Sequence, residues 1–234
     1  MKKVQNFTLI EMMAVMIIAA VLTALAVPAF KALTTGSAVG ETSSILKNSL
    51  DVAQSRAISR RQYVAAVIDH KGQRTNANDT QAIRICQLSV EMDATGTIEE
   101  YHFKEWMPES SWQELSYGAS ILGAAQNKSS LKAFTEGNSI SSTLGNLPSL
   151  KKIPKDDTAS PGTMTCPAVI YTVYGGTYEP SSETWFMIGE ATLADGKMIY
   201  RNKDDSGEPA NFLRIKLNPF TGRTKVISEE EASE

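Results

Sequence analysis

The feature that most constrains this chain is an apolar segment near its start that carries a single carboxylate. The run Asn6-Phe7-Thr8-Leu9-Ile10-Glu11 is followed by residues 12–30, which contain no charge. As a helix, residues 7–30 would be roughly 36 Å long, because an α-helix rises about 1.5 Å per residue. That length exceeds the ~30 Å hydrocarbon core of a bilayer. A carboxylate such as Glu11 costs on the order of 2.5–3.5 kcal/mol near the bilayer centre, so it needs a partner.

These N-terminal residues resemble the processing site and first helix of type IV pilins and type II secretion pseudopilins. Those proteins have a short basic leader, followed by Phe-Thr-Leu-Ile-Glu at the head of a long hydrophobic helix. The resemblance implies that a prepilin peptidase removes the leader, residues 1–6, by cutting between Asn6 and Phe7, and that the new Phe7 amine is methylated. It also implies that Glu11 acts in filament assembly. The family normally has Gly where this chain has Asn6, which predicts slower cleavage.

An ordinary secretory signal peptide is the alternative interpretation of the same segment. Lys2 and Lys3 would be its basic region, and Ala24-Leu25-Ala26 resembles a cleavage site, so the mature chain would begin at Val27. Glu11 argues against this, because signal peptides are normally uncharged there. In both interpretations the lysines place the N-terminus in the cytoplasm and the bulk of the chain outside it. With the pilin resemblance, we expect a single-pass protein of the bacterial inner membrane with a periplasmic domain.

The composition fits one exported domain attached to this segment. The chain has 234 residues and a formal net charge of −3, so its overall charge does not favour nucleic acid or anionic lipid. Its two cysteines, Cys86 and Cys166, could form a disulfide in an oxidising compartment. Simple burial of Cys86 in a strand is the alternative.

A second helical pattern follows the apolar segment. Small and large apolar residues recur at steps of four, three and four, on one face of a helix: Leu46, Leu50, Ala53 and Ala57. Gly36 and Gly40 each weaken the helix between the two patterns by roughly 1 kcal/mol relative to Ala. We predict one long helix over residues 7–61, in which residues 7–30 are membrane or filament core and residues 31–61 are amphipathic and pack on a sheet.

The rest of the chain, residues 62–228, is typical of antiparallel β structure, so the predicted fold class is α+β. The predicted strands are residues 63–68, 83–92, 98–103, 169–174, 185–188, 213–217 and 224–227. We expect three hairpins, which join the second strand to the third, the fourth to the fifth and the sixth to the seventh. Residues 109–165 are predicted to be a variable insertion with a short helix near residues 129–134, and residues 229–234 an acidic, frayed tail.

The second half of the predicted helix and the first predicted strand resemble those of one subgroup of pilin-like proteins. This half of the helix, followed directly by the strand at residues 63–68, resembles that of H-type minor pseudopilins and FimT-like pilins. The helix residues that carry this resemblance are Leu46, Leu50, Ala53, Arg56, Ala57 and Ile58. This implies a pilin fold, with the sheet packed on the second half of the helix. It also implies a minor subunit of a type II secretion pseudopilus or of a type IV pilus-like filament. The partners implied are other pilins or pseudopilins, prepilin peptidase and the inner-membrane assembly platform.

The sequence contains little that indicates catalysis, and we predict neither an enzyme nor a cofactor. It has no Gly-x-Ser-x-Gly elbow, phosphate-binding glycine loop or CxxC pair. Asp204, Asp205 and Glu208 could supply oxygen ligands to Ca²⁺. A solvated charged turn is the preferred interpretation of these three residues.

The last predicted hairpin is rich in basic residues, which suggests DNA binding as an alternative function. Arg214 and Lys216 share one face of a predicted strand, and Arg223 and Lys225 share a face of the next. The run Gly222-Arg223-Thr224-Lys225 resembles the Gly-Arg-x-Arg segment of FimT-like DNA-receptor pilins, with Lys225 in place of the second Arg. Four cations could contact phosphates, but a solvent-exposed face screened by residues 229–231 is the alternative. We therefore favour a structural filament subunit over DNA binding and over an exported protein of another activity.

Overall fold

The chain divides into two compact units, Met1–Ser37 and Ala38–Glu234. The computed structural model describes residues 9–74, 80–137, 140, 144, 147–158, 162–178, 183–205 and 207–227, and only the backbone of residues 25–36. The predicted leader, the cleavage site Asn6-Phe7 and the acidic tail at residues 229–234 lie outside the described residues.

A single helix, α1, extends from Leu9 to Arg60 and is 52 residues long. It continues through Pro28, Gly36 and Gly40, although glycine and proline both weaken helices. Among the residues that the structure describes, no helix combines the length and the apolar character needed to cross a membrane.

The C-terminal end of α1 is closed by two backbone hydrogen bonds. The amide of Gln62 donates to the carbonyl of Ala57 at 3.2 Å, and the amide of Arg61 donates to the carbonyl of Ile58 at 3.4 Å. This pair of bonds is the Schellman motif, which requires a left-handed residue after the last helical one. Arg61 takes that conformation, with φ of 50°. Three residues therefore separate the end of the helix at Arg60 from the first strand at Val64.

The second unit is built from short strands. They are β1 Val64–Asp69, β2 Ala82–Met92, β3 Ile98–Trp106, β4 Gln113–Glu114, β5 Ser120–Ala125, β6 Ser149–Pro154, β7 Thr163–Tyr171, β8 Thr184–Gly189, β9 Ala191–Ala194, β10 Lys197–Tyr200, β11 Phe212–Leu217 and β12 Thr224–Ile227. The α+β class is confirmed. Residues 109–165, predicted to be a variable insertion with a short helix, contain β4, β5, β6 and the start of β7. The short helix predicted near residues 129–134 is a 3₁₀ turn at Lys128–Ser130.

The strands form two larger sheets and one separate hairpin. The first sheet has the order β3-β2-β1-β7-β6, with β4 beside β2, and the second has the order β12-β11-β8-β5. Strands β9 and β10 pair only with each other. The named strand pairs are antiparallel throughout.

The predicted hairpin between residues 169–174 and 185–188 was wrong. Strand β7 pairs with β1 and β6, whereas β8 pairs with β5 and β11 in the other sheet. The turn itself is real, because the amide of Thr172 donates to the carbonyl of Gly176 at 2.8 Å. Among the described residues that follow the turn, the amide of Tyr178 donates to the carbonyl of Ile170 on β7 at 3.0 Å.

Strand β1 is buried on both faces, because alternate residues point to opposite sides of a sheet. Val64, Ala66 and Ile68 belong to one apolar cluster, and Ala65 and Val67 belong to another. The first cluster contains six buried residues of α1 and residues of both sheets. Its α1 members are Ala38, Val39, Leu46, Leu50, Ala53 and Ala57, of which the last four are 0 % exposed.

Hydrogen bonds join the second half of α1 to loops of the same unit. The Gln54 side-chain amide donates to the carbonyls of Gly175, at 3.2 Å, and Thr221. The Thr224 hydroxyl donates to the Asp51 carboxylate at 2.7 Å. These bonds hold the turn before β12 and the turn after β7 against one helix face.

Candidate functional site

The apolar segment and its one carboxylate form the N-terminal part of α1. Glu11 lies in the first described turn and is the only charged residue between residues 9 and 30. Large apolar side chains around it are exposed, including Leu9 at 78 %, Ile17 at 62 % and Leu22 at 62 %. Continuous apolar surface of this extent marks a site of protein or membrane interaction. A carboxylate in such a surface can form a strong ion pair once water is excluded from it.

The structure places three of the four cations of the basic hairpin on one face. Lys216 on β11 lies directly opposite Lys225 on β12, and Arg214 lies two residues along β11 from Lys216. Arg223 lies in the turn before β12 and is exposed. Two like charges directly opposite each other are destabilising unless other groups compensate them.

Other side chains already engage two of these cations. The ammonium of Lys216 lies 2.6 Å from the Glu183 carboxylate and 5.4 Å from the centre of the Trp185 ring. The guanidinium of Arg214 lies 4.7 Å from the centre of the Phe212 ring. Both contacts favour a structural role for these two side chains, because each would be disturbed by moving the cation to a phosphate.

Close packing explains why glycine occupies position 222 in this hairpin. Gly222 has φ of 65°, which few other residues adopt, and an added Cβ there would lie 2.0 Å from the carbonyl oxygen of Gly175. Gln54 lies on the same side, so a larger residue would also displace its side chain. Close packing of two turns on α1 is therefore sufficient to explain Gly222 without DNA.

Comparison with known proteins identifies the N-terminal segment. A family model described as the prokaryotic N-terminal methylation motif matches residues 1–27. This match supports a type IV pilin-like protein. It implies processing by prepilin peptidase, N-terminal methylation and assembly with other pilins, in a bacterial protein associated with a membrane or a filament. No curated protein matches the chain, and no solved structure does.

The predicted disulfide of this pilin-like chain is not formed. Cys86 and Cys166 are both free and buried. Cys86 lies opposite Ala65, which lies opposite Ile170, four residues along β7 from Cys166. Their offset is therefore roughly 13 Å along the strands and about 10 Å across them, far beyond the Cα separation of about 7 Å that a disulfide allows. Burial raises the pKa of both thiols, so neither is a nucleophile.

Asp204, Asp205 and Glu208, for which a charged turn is preferred to a calcium site, lie in one turn closed by hydrogen bonds between its own residues. The carboxylate of Asp204 accepts from the amide of Glu208 at 2.9 Å, so it caps its own turn. The backbones of the same two residues are also bonded, at 2.9 Å, and Gly207 completes the turn with φ of 85°. In the described part of the chain, no three His, Cys, Asp or Glu residues form a group that could hold a metal. Asp204, Asp205 and Glu208 form a charged turn.

Sequence reasoning missed a group of lysines on the first sheet. Lys151 and Lys152 on β6, Lys155 after it and Lys71 after β1 line one surface concavity of about 580 Å³. The run Lys151-Lys152-Ile153-Pro154-Lys155 was visible in the sequence. Because this run lies in the predicted insertion at residues 109–165, no strand was predicted there.

Proposed function

We propose that this protein is a minor structural subunit of a pilin-like filament, either a type II secretion pseudopilus or a type IV pilus-like fibre. The observation that carries the proposal is the methylation motif at residues 1–27, which ends in an exposed apolar helix face with Glu11 as its only charge. Such a subunit catalyses no reaction. The genes beside this one distinguish the two systems, because one requires a secretion channel and the other a retraction ATPase.

The proposed membrane arrangement has a single pass. Residues 7–30 lie in the inner membrane before assembly, with Lys2 and Lys3 in the cytoplasm. The β domain lies in the periplasm, carried on the second half of α1 through Leu46, Leu50 and their neighbours. After assembly, the same apolar residues form the core of the filament, so the helix exchanges lipid contacts for protein contacts.

Glu11 sets the axial register between neighbouring helices in the proposed filament. Cleavage after Asn6 creates a positive amine on Phe7, four residues from Glu11 and therefore on the same helix face. In the filament, Glu11 of an incoming subunit pairs with the Phe7 amine of its neighbour. At ~4 Å and an effective dielectric constant of about 20, such a pair contributes up to about 4 kcal/mol before desolvation. That is similar to the cost of placing the carboxylate in lipid, so assembly in the correct axial register is favoured.

The N-terminus of the mature chain tests the proposal. Intact-mass measurement of protein extracted from membranes should show loss of residues 1–6 and the gain of one methyl group on Phe7. The Asn6→Gly variant should be processed faster, because Gly is the residue that the peptidase normally meets. A mature chain that begins at Val27 would exclude the pilin-like function and support a signal peptide instead.

The DNA-receptor alternative remains a separate hypothesis. It would require Arg214, Lys216, Arg223 and Lys225 to contact phosphates. Arg214 already contacts Phe212, and Lys216 already pairs with Glu183. Retention of the protein on immobilised DNA, and its loss as the salt concentration rises, would support this alternative. We favour the filament function, in which the hairpin is a solvated face.

A further inference from the structure

A groove lined by four lysines runs beside β6, at one end of the first sheet. The lysine groove is formed by Lys71, Lys151, Lys152 and Lys155. Its main concavity of about 580 Å³ adjoins a second of about 330 Å³, and both are lined by Lys151 and Lys152. The lysines come from three places in the chain: the turn after β1, strand β6 and the turn after β6. A row of lysines that only protected an edge strand from aggregation would lie on that strand alone.

The lysine groove reverses the charge of the molecule locally. The whole chain has a net charge of −3, yet Glu100 is the only acidic residue among the described side chains that line the two concavities. Its carboxylate lies 3.8 Å from the ammonium of Lys151, and both side chains are more than half exposed. An exposed pair of this kind contributes little. The groove therefore presents positive charge that its own residues do not balance.

A backbone irregularity holds two adjacent lysines toward solvent. The register of β6 on β7 shifts between Leu150 and Ile153, and Lys152 has φ of 57°. Leu150 and Ile153 are both buried, while Lys151 and Lys152 are both exposed. A regular strand would place adjacent side chains on opposite faces and so turn one lysine inward. A left-handed conformation is unfavourable for lysine, and such strain tends to persist where function requires it.

The chemistry of the groove indicates the kind of partner. Lysine ammonium groups are flexible point charges, unlike the planar fork of arginine, and they suit successive carboxylates on an extended chain. Thr163 and Thr165 line the same concavity and add hydroxyl groups for a peptide backbone. Single-stranded nucleic acid binds through exposed aromatic faces, but the nearby Tyr101 and Phe103 are packed edge-on against other rings, at 4.5 and 4.9 Å between centres. We propose that the lysine groove binds an acidic, extended segment of a partner protein.

The experiment uses the full chain in a non-ionic detergent and a fluorescent hexaglutamate peptide, with binding followed by fluorescence anisotropy. The double variant Lys151→Gln/Lys152→Gln should weaken binding by at least ~10-fold, because two charge-assisted contacts are lost. The matched control is Lys132→Gln/Lys197→Gln, which removes the same charge from two exposed lysines outside the groove. The control should change the affinity by less than about twofold, since distant surface charges are screened.

A second variant separates binding from folding. Lys152→Gly removes one ammonium group but relieves the left-handed backbone, so it should weaken peptide binding without lowering the thermal stability of the protein. Three results would overturn the proposal. They are no binding of hexaglutamate, an equal loss in the control pair, or tighter binding of oligothymidine that depends on Lys151 and Lys152. A gain in affinity when residues 229–231 are changed to Gln would also overturn it, because the chain's own acidic segment would then be the occupant.

Discussion

Arg61 occupies the position at which a helix that ends in a Schellman motif usually has glycine. Its φ of 50° places it in the left-handed region, which costs a residue with a Cβ atom about 1–2 kcal/mol. Arg61→Gly should therefore raise the free energy of unfolding of the β domain by up to about 1 kcal/mol, because part of the gain is offset by the entropy of glycine in the unfolded chain. Urea unfolding followed by tryptophan fluorescence measures this change.

The matched control for Arg61 is its neighbour Arg60, the last residue of α1. Arg60→Gly removes the same charge from an exposed residue, but it places glycine where the backbone is helical. It should lower the free energy of unfolding by a few tenths to about 1 kcal/mol. If both variants lower the stability equally, the left-handed strain assigned to Arg61 is absent in solution.

The second half of α1 packs one face against the sheets, and a substitution at Leu50 tests that packing. Leu50 is 0 % exposed and belongs to the cluster that also contains residues of both sheets. Leu50→Asp should lower the free energy of unfolding by about 3–5 kcal/mol, because it leaves an unpaired charge in an apolar environment. Val52, two residues away, is 45 % exposed. Val52→Asp should change the stability by less than about 0.5 kcal/mol, and urea midpoints that coincide for the two variants would contradict this packed face.

The elements differ in how well the sequence predicted them. Strand β1 was predicted almost to its ends, because its apolar, β-branched residues are typical of a strand buried on both faces. Strand β5 was missed, although all of its residues are buried. Its sequence Ser-Ile-Leu-Gly-Ala-Ala contains several small residues with low strand propensity, and only the close packing around it selects the extended conformation. Gly123 illustrates this, since an added Cβ would lie 2.2 Å from the carbonyl oxygen of Lys132.

Candidate sites differ in whether local sequence alone can predict them. The methylation motif is contiguous, so it could be identified before any fold was known, and a family match at residues 1–27 supports it. The disulfide and the lysine groove depend on strand order and register instead. Cys86 and Cys166 share one apolar cluster but sit at different heights on non-adjacent strands. The fold alone brings Lys71 and Lys151 to one concavity, and no periodicity along the chain predicts this.

The two units of the chain differ in whether they bury their apolar side chains. Residues beyond Ala38 bury their apolar side chains among themselves, as the 0 % exposure of Leu46 and Leu50 shows. The first part of α1 instead exposes Leu9, Ile17 and Leu22. Under the proposed filament function, lipid or other subunits cover that surface, and Glu11 is the one charge that must be accommodated there.

Glu11→Leu is the variant that tests this dependence. Removing the carboxylate lowers the cost of inserting the helix, by on the order of 2.5–3.5 kcal/mol if the side chain lies deep in the bilayer. Insertion should therefore be at least as efficient as in the parent, while assembly should fail, because the Phe7 amine of the neighbouring subunit loses its partner. Glu11→Asp should retain partial activity, since it keeps the charge on a shorter side chain. Met16→Leu, an apolar exchange in the same segment, should leave both steps unchanged.

Site-specific crosslinking between α1 helices in membranes reports assembly. Accessibility of the C-terminal domain to protease added to spheroplasts reports insertion. The two readings must diverge for Glu11→Leu, with normal insertion and little crosslinking to neighbouring subunits. A loss of both would mean that the variant is defective in membrane entry, which contradicts the transfer cost of the carboxylate. Undiminished crosslinking in Glu11→Leu, beside a normal result for Met16→Leu, would show that apolar contacts alone set the axial register and that Glu11 has no part in it.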